Sequence, residues 1–199
     1  MQLAWPLPHR LELRDELEAA YSTDRGYHDL QHLTEVLDRI DELGAGGRIE
    51  VVLAAWFHDA VYDPAESVPG ANEERSARLA MRSLAAEDVD AAEVARLVRL
   101  TATHRPEAGD TSGEILCDAD LAILASSTRR YDAYASGVRA EYARYDDAAF
   151  AVGRIAVLED LLAKPYLFHT AYARKHWEAV ARANVTAELV RLRGKAGAV

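Results

Sequence analysis

The sequence predicts an all-α protein, a helical bundle of about nine helices. Three observations predict it. Apolar residues recur at spacings of three and four, as in Leu30, Leu33, Val36, Leu37, Ile40 and Leu43. Long alternating strand patterns are absent. Glycine and proline fall where the apolar stripes end, at Gly44, Pro64, Pro106, Pro165 and Gly194. The chain has 199 residues, half of them hydrophobic, and can bury a substantial core. It reads as one domain over 1–199, with a motif-bearing core over about 25–125 on which helices over about 128–193 pack.

Pro6 and Pro8 lead into a first helix over about 9–22, with Leu13, Leu17 and Ala20 on one stripe. Arg25-Gly26-Tyr27 forms a turn before a second helix over about 28–43, ended by Gly44, Gly46 and Gly47. On it His28 and His32 are four apart and share a face. The third helix, about 49–62, is apolar nearly all round, the pattern of a central buried helix. Asp63-Pro64 stops it, and the polar loop to Ala71, beside His58-Asp59, is a candidate lid. Helices follow over about 72–84 and 90–104, the latter opened by Asp90 with Glu93 in capping-box spacing and broken by Arg105-Pro106. A helix over about 114–125 carries Asp118 and Asp120, and three more over about 128–145, 147–164 and 170–193 complete the chain. There is no internal repeat and no low-complexity linker.

The formal net charge is −10, with a pI near 5.2, so no basic field attracts a nucleic-acid polymer or an anionic membrane. Any phosphate bound needs a local cation. A single cysteine, Cys117, excludes an intramolecular disulfide and fits a reducing compartment; its helical apolar surroundings suit a small buried hydrophobe. Residues 1–14 carry no cationic-then-apolar leader, and no window approaches the roughly 18 apolar residues of a membrane span. A soluble cytoplasmic protein is expected, with no sequence signal of its oligomeric state.

The run Ala54-Ala55-Trp56-Phe57-His58-Asp59-Ala60-Val61 places a His-Asp pair among apolar residues, where a charge needs pairing or a metal. Imidazole beside carboxylate is a common ligand set for a divalent ion. His32, His58, Asp59 and Asp120 supply two of each from three helices and leave positions open. A bound water could then be acidified into a nucleophile while the ion polarises a phosphoryl oxygen. Asp120 is preferred to Asp118, either of which could instead serve its helix dipole. His28 is read as a general acid or phosphate contact, against a solvated histidine at a helix start. His104 could reach the substrate or a second metal, against a polar residue at a helix end. His9, His169 and His176 are read as surface residues.

These motifs resemble the HD superfamily of metal-dependent phosphohydrolases. The nearer likeness is to a branch of predicted HD phosphohydrolases marked by Arg-x-Tyr-His-x-x-x-His, Trp-Phe-His-Asp-x-Val-Tyr, Asn-Glu-x-x-Ser-Ala and Asp-x-Asp-Leu-Ala-Ile-Leu. Here these are Arg25 to His32, Trp56 to Tyr62, Asn72 to Ala77 and Asp118 to Leu124. Tyr131-x-x-Tyr134, Val138-Arg139-x-Glu141-Tyr142 and Ala181-Arg182-x-Asn184 also match, so the resemblance covers about 25–189. It implies an HD-domain-like bundle with His32, His58, Asp59 and Asp120 as ligands of a divalent ion (Mn, Fe, Zn, Co, Ni or Mg). Tyr-His-x-x-x-His is similar to the arrangement in cyclic-nucleotide phosphodiesterases, where the earlier histidine donates a proton, the position of His28. Glu73 and Glu74 could orient or deprotonate water with Asp59, or form a solvated capping pair. Arg25, Arg75 and Arg139 are candidate phosphate clamps, against surface salt bridges.

The implied activity is metal-dependent hydrolysis of a phosphate ester of a small molecule such as a nucleotide. A di-iron oxygenase of the same fold generally draws on extra histidines between the doublet and the last aspartate. Only His104 lies in that interval, which favours one metal, or one tight and one weak. A non-catalytic nucleotide-binding module is the third class, and the intact ligand set weighs against it.

Overall fold

A computed structural model describes residues 3–22, 25–66 and 68–196; Ser67, in the loop read as a candidate lid, lies outside them. Among the described residues there are ten α-helices and no strand, so the protein is the all-α bundle its sequence predicts. The helices are α1 (Leu11–Tyr21), α2 (Leu30–Glu42), α3 (Ile49–Phe57), α4 (Ala71–Ser83), α5 (Ala91–Leu100), α6 (Thr111–Leu121), α7 (Thr128–Glu141), α8 (Asp147–Ala163), α9 (Ala171–His176) and α10 (Glu178–Ala196). A 3-10 turn, Ala122–Ala125, follows α6. The tenth helix arises because the segment expected as one helix over 170–193 breaks at Trp177.

The chain falls into two compact units, Met1–Asp120 and Leu121–Val199. In the first, α3 is central, packed by α2, α4 and α5. Val51 through Phe57 are all buried, as its all-round apolar sequence requires. Each large side chain buried this way contributes about 1.5–3 kcal/mol, so α3 anchors the unit. The stripes Leu13, Leu17 and Tyr21 on α1 and His32, Leu33, Val36, Leu37 and Ile40 on α2 turn inward. Cys117 is fully buried, as its apolar setting predicts.

Two glycines set helix ends. Gly44 has φ +73°, and the Ala45 N–H beyond it donates to the Ile40 carbonyl at 2.9 Å, the reversal that closes α2. Gly113 sits inside the first turn of α6, where a Cβ would stand 2.2 Å from Asp110 Oδ2 and 2.6 Å from Leu100 Cδ2. The Asp110 carboxylate also accepts the Gly113 N–H at 2.9 Å, so α6 starts before residue 114, where the sequence pattern placed it.

In the second unit, α10 packs against α8, α9 and the 3-10 turn. Its centre is polar. Glu188, buried, takes Arg154 through two oxygens at 2.8 and 3.1 Å and the Tyr131 hydroxyl at 2.6 Å, and Arg154 also donates to the Tyr134 hydroxyl at 2.9 Å. Tyr131-x-x-Tyr134 is therefore the hydrogen-bonded lining of a buried ion pair. Asn184 donates to the carbonyls of Leu124 and Ser126, both at 2.9 Å, and closes the 3-10 turn onto α10.

Candidate metal centre

The doublet His58-Asp59 was expected inside a helix running to residue 62, but α3 ends at Phe57. Tyr21 is the cause. Its hydroxyl oxygen accepts the Asp59 N–H at 3.2 Å, the donor that would otherwise close a helical turn onto Ala55. The Ala55 carbonyl instead takes His58 Nδ1–H at 2.6 Å, with the Tyr21 hydroxyl at 3.4 Å. The Ala60 N–H drops back to Phe57 at 3.0 Å, a tighter turn. The α-helical ladder thus stops after His58, whose own N–H still closes onto the Ala54 carbonyl at 2.9 Å, and His58 Nε2 and Asp59 Oδ2 come within 3.1 Å of each other.

The second helix likewise starts later than its apolar pattern predicts. Asp29 accepts the N–H groups of Gln31 and His32 at 2.9 and 3.0 Å and is the N-cap of α2. His28 thus lies outside α2 and does not share a helical face with His32. The two rings still meet, 5.7 Å apart and edge to face, and His28 lies 4.3 Å from the Tyr62 ring.

His32 and His58 are each 2% exposed, and their Nε2 atoms stand 3.1 Å apart. Asp59 Oδ2 is 3.1 Å from His58 Nε2 and 3.6 Å from His32 Nε2. Asp120 Oδ1 is 3.2 Å from His32 Nε2 and 3.7 Å from His58 Nε2. His32, His58 and Asp120 form a group that could hold a metal ion, with Asp59 against both imidazoles. The donor set fits one. Two nitrogens about 2.0–2.1 Å from a shared ion lie about 2.8–3.0 Å apart at right angles and about 3.3–3.4 Å apart in a tetrahedron; the observed separation falls between. Because a carbonyl only accepts, the Nδ1 proton of neutral His58 is spent on Ala55, and its Nε2 lone pair faces the cluster.

The charges in the cluster compensate one another. Burial opposes charge on His58, but the Asp59 and Asp120 carboxylates outweigh it and push the imidazole up to about 9. Burial likewise opposes ionisation of Asp59 and Asp120, yet His58 and the neighbouring imidazoles hold both well below the usual carboxylate range. Burial first, then the Asp59 charge, raises the Tyr21 phenol well above its ordinary value, so it stays a neutral hydroxyl.

Other elements hold the doublet from behind. Arg25 Nη1 donates to the carbonyls of His28 and Asp59, both at 2.7 Å, and Nη2 to that of Ala60 at 3.4 Å. It clasps the entry to α2 onto the doublet. Ser76 and Asn72, one turn apart on α4, bond the backbone beyond it in both directions. Ser76 accepts from the Val61 N–H at 3.0 Å and donates to its carbonyl at 3.2 Å, while Asn72 does the same with Asp63 at 3.1 Å each way.

Asp118 is fully buried but outside the group, so of the two candidate aspartates it is Asp120 that meets the histidines. His104 Nε2 reaches Asp120 Oδ2 at 2.8 Å. Glu73 is half-buried on the first turn of α4. Glu74 pairs with Arg99 at 2.6 Å and Arg78 at 2.7 Å, and these bonds hold its carboxyl down to about 2, a weak proton acceptor. Arg75 bonds Asn72 and lies 3.4 Å from Glu66. Arg139 belongs to the second unit, where it bonds Asp147 and the carbonyls of Tyr142 and Tyr145. His9, read as a surface residue, is exposed and pairs with Glu87 at 2.6 Å.

Sequence reasoning missed the roles of Tyr21 and of the Asn72/Ser76 pair. Tyr21 carries no polar signal, since it completes the apolar stripe of α1. The pair stands in the Asn72 to Ala77 motif, and the signal of its role was the i, i+4 spacing of side chains able both to donate and to accept. No family model, curated protein or solved structure matches this chain.

Proposed function

We propose that the chain is a metal-dependent phosphohydrolase acting on a phosphate ester of a small molecule such as a nucleotide. One observation carries the reading: two buried imidazole Nε2 atoms 3.1 Å apart, one with its tautomer fixed by a backbone carbonyl, between the Asp59 and Asp120 carboxylates. The motif resemblance over about 25–189 gives the reaction class. Charge supports it further. The Asp59 and Asp120 carboxylates oppose a phosphate, and a bound divalent cation would reverse that field.

His32, His58, Asp59 and Asp120 would hold a divalent ion, which supplies Lewis acidity toward a phosphoryl oxygen and toward water. The chain's own groups do the rest. Tyr21 and Arg25 fix the doublet backbone, so the ligands are set before substrate arrives. His28, half-buried against Tyr62, protonates the leaving-group oxygen. The protein acts in water on a diffusible substrate; among the described residues no helix is long and apolar enough to cross a membrane.

Protein stripped of metal and titrated with Mn²⁺, Zn²⁺, Ni²⁺ and Mg²⁺ should bind at least one of them stoichiometrically. With that ion it should hydrolyse a member of a phosphomonoester, phosphodiester and nucleotide panel. Binding of none of the four ions would overturn the reading. Oxygen uptake without hydrolysis of any phosphoester would move the protein to the oxygenase class.

A further inference from the structure

Among the described residues, His104 is the one non-glycine with positive φ, at 49°. It lies beyond the last residue of α5, its N–H closing onto the Leu100 carbonyl at 2.9 Å. An L-residue in this left-handed region costs about 1–2 kcal/mol, and glycine, which would carry no such cost, is not used. What the backbone strain delivers is an imidazole. The chain turns back toward α6, and His104 Nε2 meets Asp120 Oδ2 at 2.8 Å.

The Asp120 carboxylate is thereby divided. Oδ2 is taken by His104, while Oδ1 faces His32 Nε2 at 3.2 Å and His58 Nε2 at 3.7 Å. A carboxylate able to rotate presents either one oxygen or both to an ion. Here the rotation is blocked from outside the cluster.

We infer that His104 is a positioning residue that holds the outer oxygen of Asp120, so that the carboxylate offers only Oδ1 to the ion and coordination space stays open for the substrate. The inference rests on the metal reading proposed above. It assigns His104 a role distinct from ligand and from substrate contact. Outer hydrogen bonds of this kind are typically worth 10–100-fold in metal affinity.

Backbone and side-chain roles separate cleanly. His104→Gly removes the imidazole while accepting the positive φ, so the fold is kept; His104→Gln places an amide N–H near the position of Nε2 and restores the donor. Mn²⁺ isotherms and thermal melts of the metal-free full chain are the readouts. The expected result is a melting temperature for His104→Gly at or above wild type, about 10–100-fold weaker Mn²⁺ binding, and His104→Gln within a few-fold of wild type. If wild type binds Mn²⁺ and His104→Gly binds it equally well, the positioning role is overturned and the metal centre stands. Equal losses in both variants at unchanged melting temperature would make His104 a ligand, and equal losses with both melts lowered would make it a purely structural residue; either overturns the inference. Wild-type protein that binds none of the four ions fails the metal reading itself.

Discussion

The Tyr21 hydroxyl, at the last residue of α1, accepts the backbone N–H of Asp59 at 3.2 Å, in the place of the helical carbonyl that this amide would otherwise use. Tyr21 is 1% exposed, so removing the hydroxyl leaves a buried amide without an acceptor, at a cost of about 1–3 kcal/mol. Tyr21→Phe should therefore lower the unfolding free energy by that amount in urea. It should also weaken metal binding, because the doublet backbone becomes free to wind into α3. Unchanged stability together with unchanged affinity would show that the doublet is held by other groups.

Asp120 and Asp118 give a second test within two residues. Asp120 faces both histidines, whereas Asp118 is fully buried outside their group. Asp120→Ala should lose stoichiometric metal, as should His58→Ala. Asp118→Ala should keep a full equivalent and show its effect as lost stability. Equilibrium dialysis with metal analysis separates these outcomes, and the reverse order would mean that the cluster is not the metal site.

The helices were legible because each buried face repeats over several turns, so the stripe of α2 and the all-round apolar run of α3 outvote local noise. The meeting of His32, His58 and Asp120 was legible because a histidine and an aspartate at apolar positions need a compensating reason to be there. What the pattern hid were the places where a side chain outcompetes the helical ladder. Apolar periodicity runs straight through Asp29, yet its carboxylate caps α2 and leaves His28 outside. It runs through His58 too, where a tyrosine 38 residues away takes the next amide. Such long-range polar capture leaves no periodic trace. Gly113 misled for the opposite reason: it reads as a loop residue but serves as a close-packed one within α6.

Metal binding should depend on pH through His58. Its imidazole rises from an ordinary value of 6.5 to about 9 in the metal-free fold, and this stabilises that fold below about 6.5 and is lost as pH rises through about 9. Metal runs the other way, since a ligating nitrogen must be deprotonated. Affinity should climb roughly tenfold per pH unit between about 7 and 9, with close to one proton released per ion at neutral pH. Titration calorimetry in buffers of different ionisation enthalpy measures both. Flat affinity across this range would exclude His58 as a protonated ligand.

The second unit carries its own pH dependence. Burial disfavours the Glu188 charge, but the Arg154 and Tyr131 hydrogen bonds outweigh it and lower the carboxyl from its ordinary value. Its contribution is present above about pH 4.3 and is lost as pH falls through the depressed folded value. Glu188→Gln leaves Arg154 buried without its counter-charge, at about 3–5 kcal/mol. Urea unfolding followed by far-ultraviolet circular dichroism should report that loss at neutral pH. A variant as stable as wild type would mean that the ion pair and its tyrosines add no net stability.

His28 should matter to turnover and not to metal affinity. It lies before the N-cap of α2, its ring 5.7 Å from that of His32 and 4.3 Å from that of Tyr62, close to the ligands while not one of their group. A group so placed can hand a proton to a departing oxygen, a contribution worth about 10²–10⁴ in rate. An alkyl phosphate needs that proton, because its alkoxide leaves poorly, whereas a nitrophenyl phosphate leaves unprotonated. His28→Ala should therefore bind a full equivalent of metal, lose about 10²–10⁴ of kcat on the alkyl ester and lose much less on the aryl ester. Equal losses on both esters would assign His28 to substrate positioning, and loss of the metal would make it a ligand.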